Sequence, residues 1–149
     1  MTDDFRHRTR VDVRLGDLDP FGHVNNAVVA SYVEQGRVLY LRDVLGTGVD
    51  PVSMPFILAM LKIDYVAQIV FSDPVEVGTR VDWIGRTSIG MSHRVTGSDA
   101  RELARSDSVL VAFDYTVEKP MRVPDDWRAI LVAHEGRSLD RPVSPVTAA

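Results

Sequence analysis

Hydrophobic positions divide the chain into one long helical segment and a series of strand-forming segments. Residues 27–45 carry apolar side chains at helical spacing, and the other faces of this segment are also largely apolar. A helix that is apolar nearly all round is buried, so we expect one long central helix wrapped by other elements. Asn25 or Asn26 suits its N-cap, and Gly46 suits the left-handed position after its last turn.

The remaining periodic segments predict strands. Residues 11–15 alternate between apolar and polar side chains and predict a first strand before the helix. Further strands are predicted after the helix, and turn signals such as Ser72-Asp73-Pro74 separate them; they cover residues 56–71, 75–83, 89–95 and 109–117. Successive hairpins favour antiparallel pairing. We therefore expect an α+β fold in which a five-stranded antiparallel sheet wraps around one long central helix.

Composition narrows the class of protein. A chain of 149 residues with 45% hydrophobic and 26% charged residues fits a single globular domain, residues 1–149. We place its core at about residues 9–120, followed over 121–149 by a short helix, begun near residue 125, and a flexible tail. The net charge of −4 argues against nucleic acid as a partner. The absence of cysteine excludes disulfides, a thiol nucleophile and cysteine-ligated metals.

Neither a targeting segment nor a metal site is predicted. The N-terminus has no apolar run typical of a secretion signal, and no apolar run reaches the length of about 18 residues that a membrane span needs. We therefore expect a cytoplasmic protein without a membrane span. The histidines and carboxylates show no spacing typical of metal ligands.

The segment from residue 16 to residue 26, GDLDPFGHVNN, carries the most informative chemistry. It places the carboxylate of Asp19 just before the N-terminus of the predicted helix. Free backbone N–H groups at such a terminus can hold a polarised carbonyl oxygen. A carboxylate beside an oxyanion site is what the hydrolysis of an acyl group requires.

The neighbours of Asp19 allow structural and functional interpretations. We interpret Asp17 as a structural carboxylate. His23 could polarise a thioester, supply a proton or orient water, but a histidine beside a helix N-cap is as often a hydrogen-bonding fixture. Asn25 and Asn26 could cap the helix, and could also bond the acyl carbonyl or the attacking water.

Three residues in the middle of the predicted helix also stand out. Glu34 and Arg37 have the spacing of an ion pair on one helix face, although a role for Glu34 in a binding pocket is an alternative. Gly36 weakens the helix by about 1 kcal/mol relative to alanine. A strand or an acyl chain packed close to the helix would explain this glycine.

The run of residues 16–26, followed by Tyr32, Glu34 and Arg37, resembles the 4-hydroxybenzoyl-CoA thioesterase-like acyl-CoA thioesterases of the hotdog fold. Downstream, the segments 63–65, 73–75 and 84–88 fit the strand pattern of the same family. The resemblance covers about residues 9–120.

This resemblance implies a sheet around a central helix, two such subunits paired in a dimer, further assembly to a tetramer in many members, and active sites at the dimer interface. It implies that Asp19 is the catalytic carboxylate and that the backbone N–H near Asn26 forms the oxyanion hole. Gly22 would let the backbone approach the thioester, and Thr87 and Ser88 would lie near the pantetheine arm. The candidate site therefore comprises Asp19, His23 and Asn26 as catalytic residues, and Gly22, Asn25, Thr87 and Ser88 as substrate-binding residues.

The expected activity is hydrolysis of an acyl thioester of CoA, or of acyl carrier protein, to a free acid and a thiol. Asp19 would act as general base or as nucleophile. No cofactor is expected beyond the CoA that belongs to the substrate, and a homodimer or homotetramer is expected. Two alternatives stay open: an enoyl-CoA hydratase or dehydratase with Asp19 and His23 as a proton relay, and a non-catalytic protein that binds acyl thioesters.

Overall fold

The structure, a computed structural model, describes residues 5–48 and 54–143. These residues form six strands and two α-helices in the order β1 (His7–Val11), α1 (Asn26–Leu45), β2 (Phe56–Tyr65), β3 (Val75–Ile84), β4 (Ser88–Thr96), β5 (Glu102–Asp114), β6 (Lys119–Pro120) and α2 (Asp125–Glu135). Short 3-10 turns cover Leu15–Asp17 and Ser98–Ala100. The last residues of the expected tail lie outside the described part of the chain.

The strands form one antiparallel sheet in the order β1-β3-β4-β5-β2, and the two-residue β6 pairs with the end of β5. The sheet curls against α1, so the expected α+β architecture is confirmed. Strand β2 lies at one edge of the sheet and β1 at the other. No helix within the described residues is long and apolar enough to cross a membrane.

Several predicted boundaries were wrong. The first strand covers His7–Val11 instead of residues 11–15, because the backbone N–H of Arg14 donates to the Asp17 carboxylate and the chain turns there. Strand β2 ends at Tyr65, before the predicted limit of residue 71, and β5 begins at Glu102, before the predicted start at residue 109. Both predicted helices are present, and Gly46 ends α1 with a φ of 70°.

Helix α1 is buried along one stripe and not all round. Its buried residues are Val29, Tyr32, Val33, Gly36, Arg37, Tyr40 and Leu41. The sheet contacts α1 mainly through β1, β3 and β4, whereas Ser31, Glu34 and Gln35 are exposed. The expectation of a helix buried on most sides was wrong for a single chain, because one curled sheet covers only one side.

Gly36 lies where α1 approaches β3 most closely. A Cβ atom at this position would lie 2.7 Å from Cγ1 of Val77 and 2.9 Å from Oγ1 of Thr79. Real Cβ contacts do not become this short, so any larger residue would push the helix away from the sheet. Close approach of a strand therefore explains the glycine.

The interior contains two apolar clusters with a polar layer between them. One cluster lies near the start of α1 and includes Val33 and Leu103, and the other includes Leu41 and reaches α2. Between them, Nδ1 of His93 lies 3.2 Å from Oγ1 of Thr79, and Nε2 lies 3.0 Å from Oγ of Ser108. Burial, assisted by the positive charge of Arg37, lowers the pKa of His93 to about 3, so this imidazole is neutral at physiological pH.

Candidate active site

The segment before α1 folds into a turn around Asp19. The backbone N–H of Asp19 donates to the carbonyl of His23 over 2.7 Å, and the N–H of Gly22 donates to the carbonyl of Asp19 over 3.0 Å. Gly22 has a φ of 81°, in the left-handed region that favours glycine. Oδ1 of Asp19 accepts from the N–H groups of Phe21 at 2.9 Å and His23 at 3.2 Å. Within the described residues Oδ2 accepts no hydrogen bond, so it is free to act on a ligand.

Asp17 anchors this turn. Its carboxylate is buried and accepts the hydroxyl of Tyr32 at 2.7 Å, the backbone N–H of Arg14 at 2.9 Å and the guanidinium of Arg14 at 3.0 Å. Burial raises the pKa of Asp17, but these hydrogen bonds outweigh it and hold the pKa below the ordinary 3.8. The carbonyl of Asp17 also accepts the N–H of Asn25 over 2.9 Å. These contacts agree with the interpretation of Asp17 as structural.

The first turn of α1 leaves one N–H group unused. Asn25 is the N-cap: its Oδ1 accepts the N–H of Ala27 at 2.8 Å, and its carbonyl accepts the N–H of Val28 at 2.9 Å. The N–H of Asn26 has no acceptor among the described residues. This group lies at the positive end of the helix dipole and can donate to an oxyanion.

These groups line a cleft of about 520 Å³ between the turn, the start of α1 and the end of β2. Its walls comprise Asp19, Phe21, His23, Val24, Asn26, Val29, Tyr65, Val66, Ala67, Gln68, Ile69, Leu103 and Ala104. The structure therefore brings together the three predicted catalytic residues. Gly22 and Asn25 belong to the same turn but are not part of the cleft wall.

Thr87 and Ser88 lie elsewhere. They are in the turn and first position of β4, where Ser88 pairs with Val111. The cleft residue Ala104 pairs with Val95 at the other end of β4, about 23 Å away along the strand. Within one chain these two residues do not meet the cleft, and their contact with substrate stays a prediction that needs a second subunit.

Sequence reasoning did not place Tyr65 in the site. Its hydroxyl donates to the backbone carbonyl of Asn26 over 2.8 Å and joins the end of β2 to the start of α1. The two residues are 39 positions apart, so no local pattern connects them. The available signal was an aromatic residue with a polar tip at the end of an apolar strand.

Asp19 accepts the backbone N–H of His23, and within the described residues the His23 ring makes no hydrogen bond to this carboxylate. The ring nevertheless lies on the cleft wall. No group of three or more histidines and carboxylates in the described part of the chain is arranged to hold a metal ion.

A curled antiparallel sheet packed against one long helix is the hotdog architecture, and here a carboxylate lies beside the start of that helix. The chain belongs to the thioesterase-like superfamily, which it matches over residues 13–131. The family resemblance seen in the sequence is thereby confirmed.

Solved structures agree with this assignment. A thioesterase from Thermus thermophilus, determined in complex with coenzyme A and Zn, is 38% identical with a TM-score of 0.81, over 91% of this chain and 98% of that one. A predicted thioesterase from Bacillus stearothermophilus is 25% identical with a TM-score of 0.79, over 91% and 98% of the two chains. The hotdog fold is therefore confirmed.

A relative from Arabidopsis thaliana is an acyl-acyl carrier protein thioesterase, the chloroplastic ATL3. It is 26% identical over 130 residues, which span 85% of this chain and 67% of that protein. The relatives thus include one thioesterase bound to CoA and one named for acyl carrier protein.

Proposed function

We propose that this protein hydrolyses acyl thioesters to a carboxylic acid and a thiol. The observation that supports this best is that the Asp19 carboxylate and the unbonded N–H of Asn26 line one cleft. Membership of the thioesterase-like superfamily makes thioester hydrolysis the reaction class to test first. The carboxylate can activate water, and the N–H can stabilise the charge that develops on the thioester oxygen.

The proposed reaction begins with a water molecule held by Oδ2 of Asp19. The water oxygen attacks the thioester carbon while one water proton passes to the Asp19 carboxylate. The electrons of the thioester C=O bond move onto the carbonyl oxygen. The Asn26 N–H donates to this oxyanion, a contact typically worth about 3 kcal/mol of the barrier. The intermediate then expels the thiolate, which takes the proton from Asp19.

Asp19 can also act as a nucleophile. Its oxygen would then attack the thioester carbon and expel the thiolate, which leaves an acyl–aspartyl anhydride for water to cleave. The two hydrogen bonds to Oδ1 support both versions, because they fix the carboxylate and leave Oδ2 for water or for the carbon. The proposed part of the His23 ring is to orient the water or to protonate the sulfur.

We propose CoA or acyl carrier protein as the thiol carrier. The Thermus thermophilus relative binds coenzyme A, and the Arabidopsis thaliana relative is named for acyl carrier protein. Both carriers end in a thioester on a long flexible arm, which an open cleft can admit.

We propose that two copies of the chain pair through β2. This strand is at the edge of the sheet, and within the described residues no strand pairs with its outer side. It exposes a series of large apolar side chains: Ile57, Leu58, Met60, Leu61 and Tyr65. A long apolar edge of this kind invites another strand. Pairing would give a homodimer, which could assemble further to a tetramer.

The reaction is tested with purified protein and a panel of acyl-CoAs, enoyl-CoAs and acyl carrier proteins. Thiol release from any saturated acyl thioester supports the proposal. Loss of enoyl absorbance without thiol release would assign a hydratase instead. Binding of acyl-CoA with neither change would make the protein a non-catalytic acyl-thioester binder.

A further inference from the structure

Arg37 is a buried cation for which the described part of the chain provides no hydrogen bond. The residue is 6% exposed, and its Nη1 atom is buried with no hydrogen-bond partner in the described residues. Its ion-pair partner is Glu34, whose Oε2 lies 3.8 Å from Nη2, which is too far for a hydrogen bond. The Glu34 side chain is 65% exposed, so water screens much of its charge. A guanidinium has five N–H donors, and burying it without acceptors is costly.

Arg37 lines a second cavity, of about 190 Å³. Apart from Glu34 and Arg37 the wall is apolar and consists of Val38, Leu41, Met54, Phe56, Leu58 and Leu110. The cavity therefore offers hydrophobic surface to a carbon chain and one positive charge to its end. The imidazole of His93, whose pKa the Arg37 charge helps to lower, is neutral and adds no second positive charge.

The second cavity and the active-site cleft lie between the same two elements. Asn26 and Val29 of α1 and Tyr65 of β2 line the cleft, whereas later residues of α1 and earlier residues of β2 line the cavity. Asn26 and Arg37 are close to three helical turns apart, about 16 Å, and so occupy the same side of α1. Side chains on a helix lean toward its N-terminus, which brings the Arg37 guanidinium nearer to the cleft.

We propose that Arg37 binds the terminal carboxylate of the acyl group, so that the preferred substrates are thioesters of dicarboxylic acids. The inference rests on the proposed function, because it takes the thioester to lie at Asn26. An acyl chain that leaves the cleft along the α1–β2 side reaches the cavity with its far end. There a carboxylate supplies the acceptors that the guanidinium lacks, whereas a terminal methyl group supplies none.

Glu34 is the group that competes for Arg37. Because its side chain is largely exposed, it can rotate into water when a substrate carboxylate arrives. Removing the Glu34 charge should strengthen the binding of a substrate carboxylate at Arg37, since one negative charge would then be absent from the cavity wall. This gives a test on an exposed residue whose replacement leaves the core intact.

The test measures Kd by calorimetry on the Asp19→Asn variant, in which we expect turnover to be slower by about 100-fold or more. Pairs of acyl-CoAs with the same number of carbons are compared, one ending in a carboxylate and the other in a methyl group, over a series of chain lengths. We expect the carboxylate to bind about tenfold tighter at one favoured length. Arg37→Met should abolish this ratio, Glu34→Gln should increase it, and the exposed Arg42→Met on the same helix should leave it unchanged.

Equal affinities at every length, or a ratio unaffected by Glu34→Gln, would overturn the proposal. If Arg37→Met does not fold, the Glu34→Gln result decides. Kd is an equilibrium quantity measured on the slow variant, so the carboxylate preference is read separately from thiol release. A carboxylate preference in a protein that releases no thiol would support the Arg37 site and contradict the proposed hydrolysis. Thiol release without a carboxylate preference would support the hydrolysis and contradict the Arg37 site.

Discussion

The hydroxyl of Tyr65 donates a 2.8 Å hydrogen bond to the backbone carbonyl of Asn26, and this bond connects the last residue of β2 to the first residue of α1. Asn26 carries the N–H that we propose as the oxyanion donor. The Asn25 side chain fixes the next N–H of the helix, and Tyr65 fixes the carbonyl. Tyr65 is therefore a positioning residue for the oxyanion site.

Replacing Tyr65 with phenylalanine removes this hydrogen bond and keeps the ring. We expect kcat for thiol release to fall about fivefold, because the net value of such a bond is about 1 kcal/mol, with little change in KM. Tyr115→Phe is the matched control, since its hydroxyl contacts the carbonyl of Phe56 away from the cleft. A rise in KM at unchanged kcat would show that Tyr65 serves binding alone.

Gly36→Ala tests the close approach of α1 to β3. The added methyl group would lie 2.7 Å from Val77, so the helix or strand has to shift. We expect a loss of about 2 kcal/mol in the free energy of unfolding despite the better helix propensity of alanine. Urea denaturation measures this loss. Gly16→Ala, with no atom within 4 Å of the new Cβ, should change stability little, and a neutral Gly36→Ala would contradict the packing described for α1.

Tyr32→Phe tests the buried carboxylate of Asp17. The Tyr32 hydroxyl helps to hold the folded-state pKa of Asp17 below 3.8, so the stability this gives is present above that pH and is lost as the pH falls through the folded-state pKa. We expect the variant to be about 1–2 kcal/mol less stable at neutral pH, and the deficit to shrink as the pH falls below 3.8. Denaturation at both pH values measures it, and a deficit independent of pH would assign the loss to packing.

Much of the fold could be predicted from the sequence because its signals are local. The helical spacing and caps of α1, and the turn signals between strands, gave the element order. The motif around Asp19 also gave the core of the site, because Asp19, His23 and Asn26 are only a few positions apart. The apolar pattern of α1 was misleading in one respect, since small and partly exposed residues made it look buried on every side.

The features that the sequence did not predict depend mostly on contacts between residues that are distant in sequence. Tyr65 reaches the site through strand pairing, and Arg37 gives no sign in the sequence of being buried beside a cavity. The boundary of β1 depends on Asp17, whose carboxylate bonds the backbone and guanidinium of Arg14 and turns the chain. Such side chain–backbone bonds compete with strand formation, and periodicity does not detect them.

Met60→Lys tests the pairing of two chains through β2. Met60 is exposed near the middle of this edge strand, and a charge there opposes burial against a second copy. We expect the wild type to sediment as a dimer or tetramer and the variant to shift to monomer at the same concentration. Val132→Lys, which alters an exposed apolar residue on α2, should not shift the equilibrium. A monomeric wild type would contradict the proposed assembly.

The most direct test of the central claim is kcat for thiol release in the Asp19→Asn variant. Asparagine keeps an oxygen that can accept the N–H groups of Phe21 and His23, so the turn is preserved while the charge is lost. Asp12→Asn is the matched control, because Asp12 is exposed and outside the cleft. We predict a fall of about 100-fold or more for Asp19→Asn and near wild-type activity for Asp12→Asn. Equal activity in both variants would contradict a thioesterase built on Asp19.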